Sequence, residues 1–208
     1  MSKALIIAEK PSVAADIARA LGGFTRQGDY FESEEYVLSS AVGHLLELTL
    51  PEAHDVKKGK WSFAKLPVIP PHFELAPIEK NEGRLNVLRR LRKRKDVTGI
   101  VNACDAGREG ELIFRYIVQY AKTKKPIERL WLQSMTPAAI REGFNRLRSD
   151  QEMQPLAAAA TCRSESDWLV GINGTRVMTA FNSKGGGFNK TTVGRVQTPT
   201  LAILVERE

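Results

Sequence analysis

The sequence predicts an open α/β sheet followed by the beginning of a mainly helical domain. Three observations carry this. Apolar runs of strand length occur at residues 4–8 and 97–103, and each is followed by a charged turn and then a helical pattern. Strand and helix signals alternate up to about residue 150. Beyond that point the chain becomes alanine-rich with helical spacing. The expected division is therefore an α/β domain over residues 1–152 and the start of a helical domain over 153–208.

Residues 4–8, ALIIA, are bounded by charge, as befits a strand buried on both faces of a parallel sheet. A helix should follow from Pro11 and Ser12, with Val13, Ile17, Ala20 and Leu21 on one side and Gly22-Gly23 as its stop. Tyr36 to Val42 reads as a second strand. Residues 51–80, rich in Pro and Lys, read as an excursion with little regular structure. Residues 84–95, RLNVLRRLRKRK, hold seven Arg and Lys, and place Leu85, Leu88 and Leu91 on what would be the buried stripe of a helix. Its basic side is better read as a solvated face than as a dedicated contact for a polyanion.

Val97 to Ala103 is the next strand, leading through DAGREGE into Leu112, Ile113, Tyr116, Ile117 and Tyr120 at helical spacing. Ile127 to Leu132 is a further strand candidate, and Thr136-Pro137 reads as an N-cap with proline at the first helical position. A helix is expected over Pro155 to Phe181, then the loop SKGGGFNKTT, then another helix from Val193 with no stop signal before Glu208.

The net charge of +7 and pI near 9.5 suit a polyanionic partner, although charge alone is a weak pointer. The two cysteines, Cys104 and Cys162, read as reduced, buried thiols rather than a disulfide or a metal pair. No secretory signal opens the chain, and no stretch approaches the ~20 apolar residues that a membrane span requires. A cytoplasmic protein with no membrane partner is expected.

Acidic residues cluster where an open parallel sheet gathers its ligands. Glu9 directly follows the first strand and Asp105 lies just beyond the strand ending at Ala103, so both should project at the carboxyl edge. Glu109 and Glu111 follow at the next helix start. Carboxylates converging in this way repel one another and call for a hard cation, for which Mg²⁺ with waters and a phosphate is the natural candidate. Taken singly, the same residues have plainer readings. Asp105 would cap the helix, Glu109 and Glu111 would favour its positive end, and Glu9-Lys10 would be a surface pair. The pattern alone leaves both accounts open.

The opening LIIAEKPSVA together with NACDAGREGELI resembles the two halves of a Toprim domain, the Rossmann-like catalytic fold of topoisomerases, some primases and some nucleases. GHLLEL at 43–48, SDWLVGINGTR at 166–176 and VGRVQTPTLAILVERE at 193–208 resemble, in order, segments of type IA DNA topoisomerases, especially the topoisomerase III branch. This resemblance implies a parallel sheet flanked by helices and an ATP-independent, Mg²⁺-dependent reaction. In it a tyrosine cuts one strand of single-stranded or underwound DNA, holds its 5′ end covalently, lets another strand pass, and reseals the break.

The resemblance also implies roles. Glu9 matches the glutamate beside the scissile phosphate, and Lys10 the lysine that stabilises the phosphate or protonates the departing oxygen. Asp105 and Glu109 match two of the three acids of a magnesium motif, and Arg108 the arginine inside it. Gly107 stands where the second aspartate is usual, so Glu111 or water would complete the shell. His44 matches a histidine near the cleavage site. Arg163 and Asp167, one helical turn apart, and Arg195 and Gln197 match residues of a strand-binding groove, with Arg176 a general phosphate contact. Trp168 is better read as packing than as a base-stacking residue.

None of the tyrosines, Tyr30, Tyr36, Tyr116 and Tyr120, lies in a setting resembling the cleavage motif, so these 208 residues are expected to be inactive alone. Two other readings stay open. A Toprim nuclease or primase would cleave without a covalent adduct, and a single-strand-binding module would bind DNA equally with or without Mg²⁺. The sequence points to no protein partner and no oligomeric state.

Overall fold

The structure, a computed structural model, describes residues 2–50 and 61–208. In chain order the described elements are β1 (Lys3–Ala8), α1 (Pro11–Leu21), β2 (Thr25–Gln27), β3 (Tyr30–Glu32), β4 (Tyr36–Ser40), β5 (Leu46–Leu48) and β6 (Leu75–Pro77). Then come α2 (Glu82–Arg92), β7 (Val97–Ala103), α3 (Arg108–Tyr120), β8 (Ile127–Arg129), α4 (Pro137–Phe144), β9 (Arg148–Ser149), α5 (Asp150–Asn182) and α6 (Gln197–Arg207). The chain divides into two units, Met1–Glu47 with Leu75–Ala160, and Leu48–Glu74 with Thr161–Glu208. The second unit thus takes in the middle segment to which the sequence assigned no structure; residues 51–60 of that excursion lie outside the described residues.

The first unit is the expected α/β fold. Its main sheet runs β2-β3-β4-β1-β7-β8-β9. Strands β4, β1, β7 and β8 are parallel, while β2, β3 and β9 add antiparallel edges. Leu5, Ile6, Ile7 and Ala8 are all buried, as a doubly covered central strand requires. Alternation along β1 sends Ile6 and Ala8 into one cluster with Ala14, Ile17 and Ala18 of α1 and Ile140 of α4. The basic helix α2 buries Leu85, Leu88 and Leu91, so its stripe is read correctly from the sequence.

Several boundaries match the sequence signals. Helix α1 starts at Pro11, and the Gly22 N–H closes it onto the Ala18 carbonyl with Gly22 at φ +73°. The Thr136 hydroxyl accepts from the Ala139 N–H at the start of α4. Strand β4 ends at Ser40 rather than Val42, because Gly43 at φ +81° turns the chain and the Gly43 N–H reaches the Glu9 carbonyl at 3.2 Å. Strand β8 ends at Arg129 rather than Leu132, opposite Asn102 and one residue before the end of its partner β7. The hairpin β2–β3 was not anticipated, although its two-residue Gly28-Asp29 turn, with Gly28 at φ +67°, is a recognisable signal.

Helix α5 begins at Asp150, before Pro155 rather than at it. A capping box explains this. The Glu152 N–H donates to Ser149 Oγ at 3.4 Å, and the Ser149 N–H donates back to Glu152 Oε2 at 2.7 Å. The two satisfied donors outweigh the one intrahelical bond lost at Pro155.

Both cysteines are free, but only Cys104 is buried; Cys162 faces solvent on α5, which corrects the expectation of two buried thiols. Burial pushes the Cys104 thiol well above its ordinary range. A disulfide-exchange reagent at pH 8 should therefore modify one thiol rapidly in the native protein and two after unfolding. Two rapid equivalents in the native protein would contradict the buried position of Cys104. No helix among the described residues is long and apolar enough to cross a membrane.

Candidate active site

The parallel pairing of β1 with β7 aligns Ala8 with Ala103, so the chain leaves both strands side by side at the carboxyl edge. Glu9 is nearly buried there, 8% exposed, and its Oε2 accepts the Asp105 N–H at 3.3 Å. The Lys10 ammonium lies 3.4 Å from Glu9 Oε1 and 3.6 Å from Asp105 Oδ2. These carboxylates, Glu9 first, hold the Lys10 pKa above the ordinary lysine value, so it stays a cation at neutral pH. A cation already bridges the two acids.

The Gly43-His44 turn is pinned from two sides, by the Gly43 N–H on the Glu9 carbonyl and by Asn81 Nδ2 donating to the His44 carbonyl at 2.7 Å. This places His44 Nε2 3.5 Å from Glu109 Oε2 at the start of α3. Arg108 is exposed at the first position of the same helix. The N-cap of α3 is Gly107 and no side chain caps it, so Asp105 is not a helix cap. Glu9, Lys10, His44, Asp105, Arg108 and Glu109 thus share one edge of the first unit.

Glu111 does not join them. It is 0% exposed and turned into the core, where Asn102 Nδ2 donates to it at 3.0 Å and Arg115 Nε at 2.7 Å. Arg129 Nε lies 3.4 Å away, at ion-pair distance but without hydrogen-bond geometry. The physical reason is helical spacing. Two residues beyond Glu109 on a helix is ~200° around the axis, which turns Glu111 to the opposite side.

Arg129 and Asn102 were missed from the sequence. Arg129 is 1% exposed, and its guanidinium donates to the carbonyls of Cys104 at 2.7 Å, Asp105 at 2.7 Å, Asn102 at 3.0 Å and Leu130 at 3.0 Å. It ties down the backbone that carries Asp105. The available signal was polar residues inside apolar runs, Asn102 in β7 and Arg129 beside Leu130, where charge is costly unless it is used.

Among the described residues no group of three or more His, Cys, Asp and Glu side chains is close enough to hold a metal ion. The acidic edge instead offers two carboxylates, Glu9 and Asp105, while the exposed Glu109 side chain points to His44. Two carboxylates with water and a phosphate are a common donor set for Mg²⁺, so these residues fit such an ion without a closed cage.

In the second unit, Asp167 on α5 accepts from Arg195 Nε and lies 3.8 Å from Arg163 Nε. One carboxylate therefore orients two arginines. Gln197 is exposed at the start of α6. Arg176 is 7% exposed with its guanidinium 5.3 Å from the Trp61 ring centre, so the position read as a phosphate contact is turned into the protein. Trp168 packs edge-to-face on Phe73 at 5.5 Å and donates Nε1–H to the Thr49 carbonyl at 3.0 Å, in keeping with the packing reading.

Comparison with known proteins covers the whole chain. Residues 4–135 match the Toprim domain family, and residues 151–208 match a family described as DNA topoisomerase. DNA topoisomerase 3 of Bacillus subtilis (strain 168) is 44% identical over 209 residues, spanning 100% of this chain and 28% of its own length. DNA topoisomerase 3 of Shouchella clausii (strain KSM-K16) is 43% identical over 208 residues, again 28% of its length. Among solved structures, full-length topoisomerase I from Thermotoga maritima superposes with a TM-score of 0.63 at 24% identity, covering 98% of this chain and 30% of that one. At that identity the likeness is one of fold.

Proposed function

Given that the chain belongs to the Toprim family, we propose that it is the catalytic N-terminal part of a type IA DNA topoisomerase of the topoisomerase III kind. The parent protein would act in the cytoplasm on single-stranded or underwound DNA, breaking one strand, passing another and rejoining the break without ATP. The juxtaposition of Glu9, Lys10 and Asp105 at the carboxyl edge carries this reading, because it supplies acid and base where a phosphodiester would be cut.

Glu9 and Asp105 would hold Mg²⁺, with Glu109 reaching it by rotation of its exposed side chain. The bound ion would offset phosphate charge during cleavage and rejoining. Lys10 then serves the phosphate or hands its proton to the departing 3′ oxygen, while His44 and Arg108 steady the non-bridging oxygens. In the second unit Arg163, Arg195 and Gln197 grip the strand, with Asp167 orienting the two arginines.

Metal binding can be tested on the chain itself. Mn²⁺ titrated calorimetrically should bind with lower affinity to Glu9→Gln. Gly107→Asp should bind more tightly, since Gly107 has extended backbone at φ 169° and nothing within 4 Å of an added Cβ. Equal affinity in all three proteins would remove these residues from the metal site.

The same geometry bears on cleavage. Tyr36 pairs with Ala4 at the opposite end of β1 from Glu9, and Tyr116 is buried on α3. Tyr120 ends that helix ~18 Å from its start, and Tyr30 lies on β3, two strands from β1 or ~10 Å. Tyr36, Tyr116 and Tyr120 are not placed to attack a phosphate beside Glu9, and Tyr30 stands two strands away from it. Residues 1–208 should therefore form no covalent adduct with an end-labelled single-stranded oligonucleotide and Mg²⁺. A labelled protein band abolished by mutating any of these tyrosines would overturn the assignment of roles.

A further inference from the structure

We infer that the second unit carries a separate pocket for an unpaired nucleobase, formed where the 61–63 segment meets the end of α5 and the following glycine loop. The cavity measures about 390 Å³ and is lined by Trp61, Phe63, Thr179, Ser183, Lys184 and Phe188, among others. Its walls are flat and aromatic. Trp61 and Phe188 meet at 5.4 Å with their planes at 66°, and the Arg176 guanidinium stacks over the Trp61 ring.

Two of the rings are unusually open for their size, Phe63 at 46% and Phe188 at 63% exposure. A lone exposed phenylalanine needs no explanation, but aromatic residues grouped around one cavity do. Lys184 stands at the rim, its ammonium 5.3 Å from the Phe63 ring centre and 4.9 Å from that of Phe181. Among the described residues lining the pocket there is one cation and no carboxylate. A ligand with a flat apolar body and an attached negative charge complements this lining, and a nucleotide within a single strand has both.

Gly186 and Gly187, at φ +107° and +77°, let the loop fold back so that Phe188 meets Trp61. Ser183, the first residue past α5, lies 16 residues beyond Asp167, a rise of roughly 24 Å and ~160° around the helix axis. A strand held by Arg163 and Arg195 must also pass part of the way around the helix to reach the pocket, which at ~3.4 Å per stacked nucleotide takes more than about seven nucleotides. The pocket thus adds a base contact to the phosphate contacts already proposed, and it rests on the single-stranded-DNA reading.

The test compares a fluorescein-labelled 15-nucleotide oligo(dT) with an abasic oligonucleotide of the same length, by anisotropy with the full chain. Wild type should bind oligo(dT) more tightly than the abasic strand and quench Trp61 fluorescence, a signal absent in Trp61→Phe. Phe188→Ala should weaken oligo(dT) binding about 5- to 100-fold while leaving the abasic strand unaffected, and Phe188→Tyr should restore it. Arg195→Ala should weaken both strands and lower the log–log salt slope by about 0.7. Equal wild-type affinity for the two oligonucleotides, or an unaltered Phe188→Ala, would overturn the pocket while leaving the DNA reading standing. Failure of wild type to bind either strand would overturn the DNA reading itself.

Discussion

Arg129→Met should cost ~3–5 kcal/mol of folding stability, the range for removing one partner of a buried ion pair. The size follows from what stays behind. Glu111 is fully buried and loses one of two flanking guanidinium groups, while the carbonyls of Cys104 and Asp105 each lose a 2.7 Å donor. Methionine preserves much of the packing volume against Trp131, whose ring centre lies 5.2 Å from the Arg129 guanidinium carbon. The loss should therefore be electrostatic rather than steric. Urea unfolding of the single variant and of Arg129→Met with Glu111→Gln separates the two causes. If the uncompensated charge dominates, the second substitution should recover a large part of the stability. A cost below ~1 kcal/mol for Arg129→Met alone would show that water already reaches Glu111.

That network also marks where reading the sequence stops short. The strands at residues 4–8 and 97–103 were legible because an unbroken apolar run between charges has few other solutions, and their parallel pairing brings Glu9 beside Asp105. The stripe of α2 and the caps of α1 and α4 were legible for similar local reasons. Glu111 was read as a possible ligand because linear spacing from Glu109 says nothing of which way each faces until the helix phase is known. Arg129 and Asn102 act through partners that lie far from them in sequence or across a strand, and local pattern carries no trace of such partners. Residues 61–74 join the second unit through contacts such as Asn173 with the Val68 backbone, at 2.6 and 2.9 Å, more than a hundred residues away. The Ser149-Glu152 capping box was visible in the sequence, but the proline at 155 drew the helix start toward itself.

Two glycines at the start of α3 should respond in opposite ways to an added methyl group. At Gly107 the backbone is extended and a Cβ would meet nothing within 4 Å, so Gly107→Ala should be neutral or stabilise by up to ~1 kcal/mol through the unfolded chain. At Gly110 a Cβ would stand 2.1 Å from the Asp105 carbonyl oxygen and 2.7 Å from its nitrogen. Backbone atoms cannot swing aside as a side-chain tip can. The Asp105 segment must move, yet Arg129 holds that same carbonyl and Glu9 holds that same N–H. Gly110→Ala should consequently destabilise the fold by ~1–3 kcal/mol, as overpacking does. It should also pull the Asp105 carboxylate away from Glu9 and Lys10, lowering Mn²⁺ affinity at least tenfold by calorimetry. Thermal unfolding with and without Mn²⁺ measures both effects at once, because a ligand bound only to the native state raises its stability. The added stabilisation by Mn²⁺ should persist in Gly107→Ala and fall in Gly110→Ala by about 1.4 kcal/mol or more at saturating Mn²⁺. If Gly110→Ala keeps both its stability and its Mn²⁺ response, helix α3 yields to the methyl group and the loop is not held as tightly as its hydrogen bonds imply.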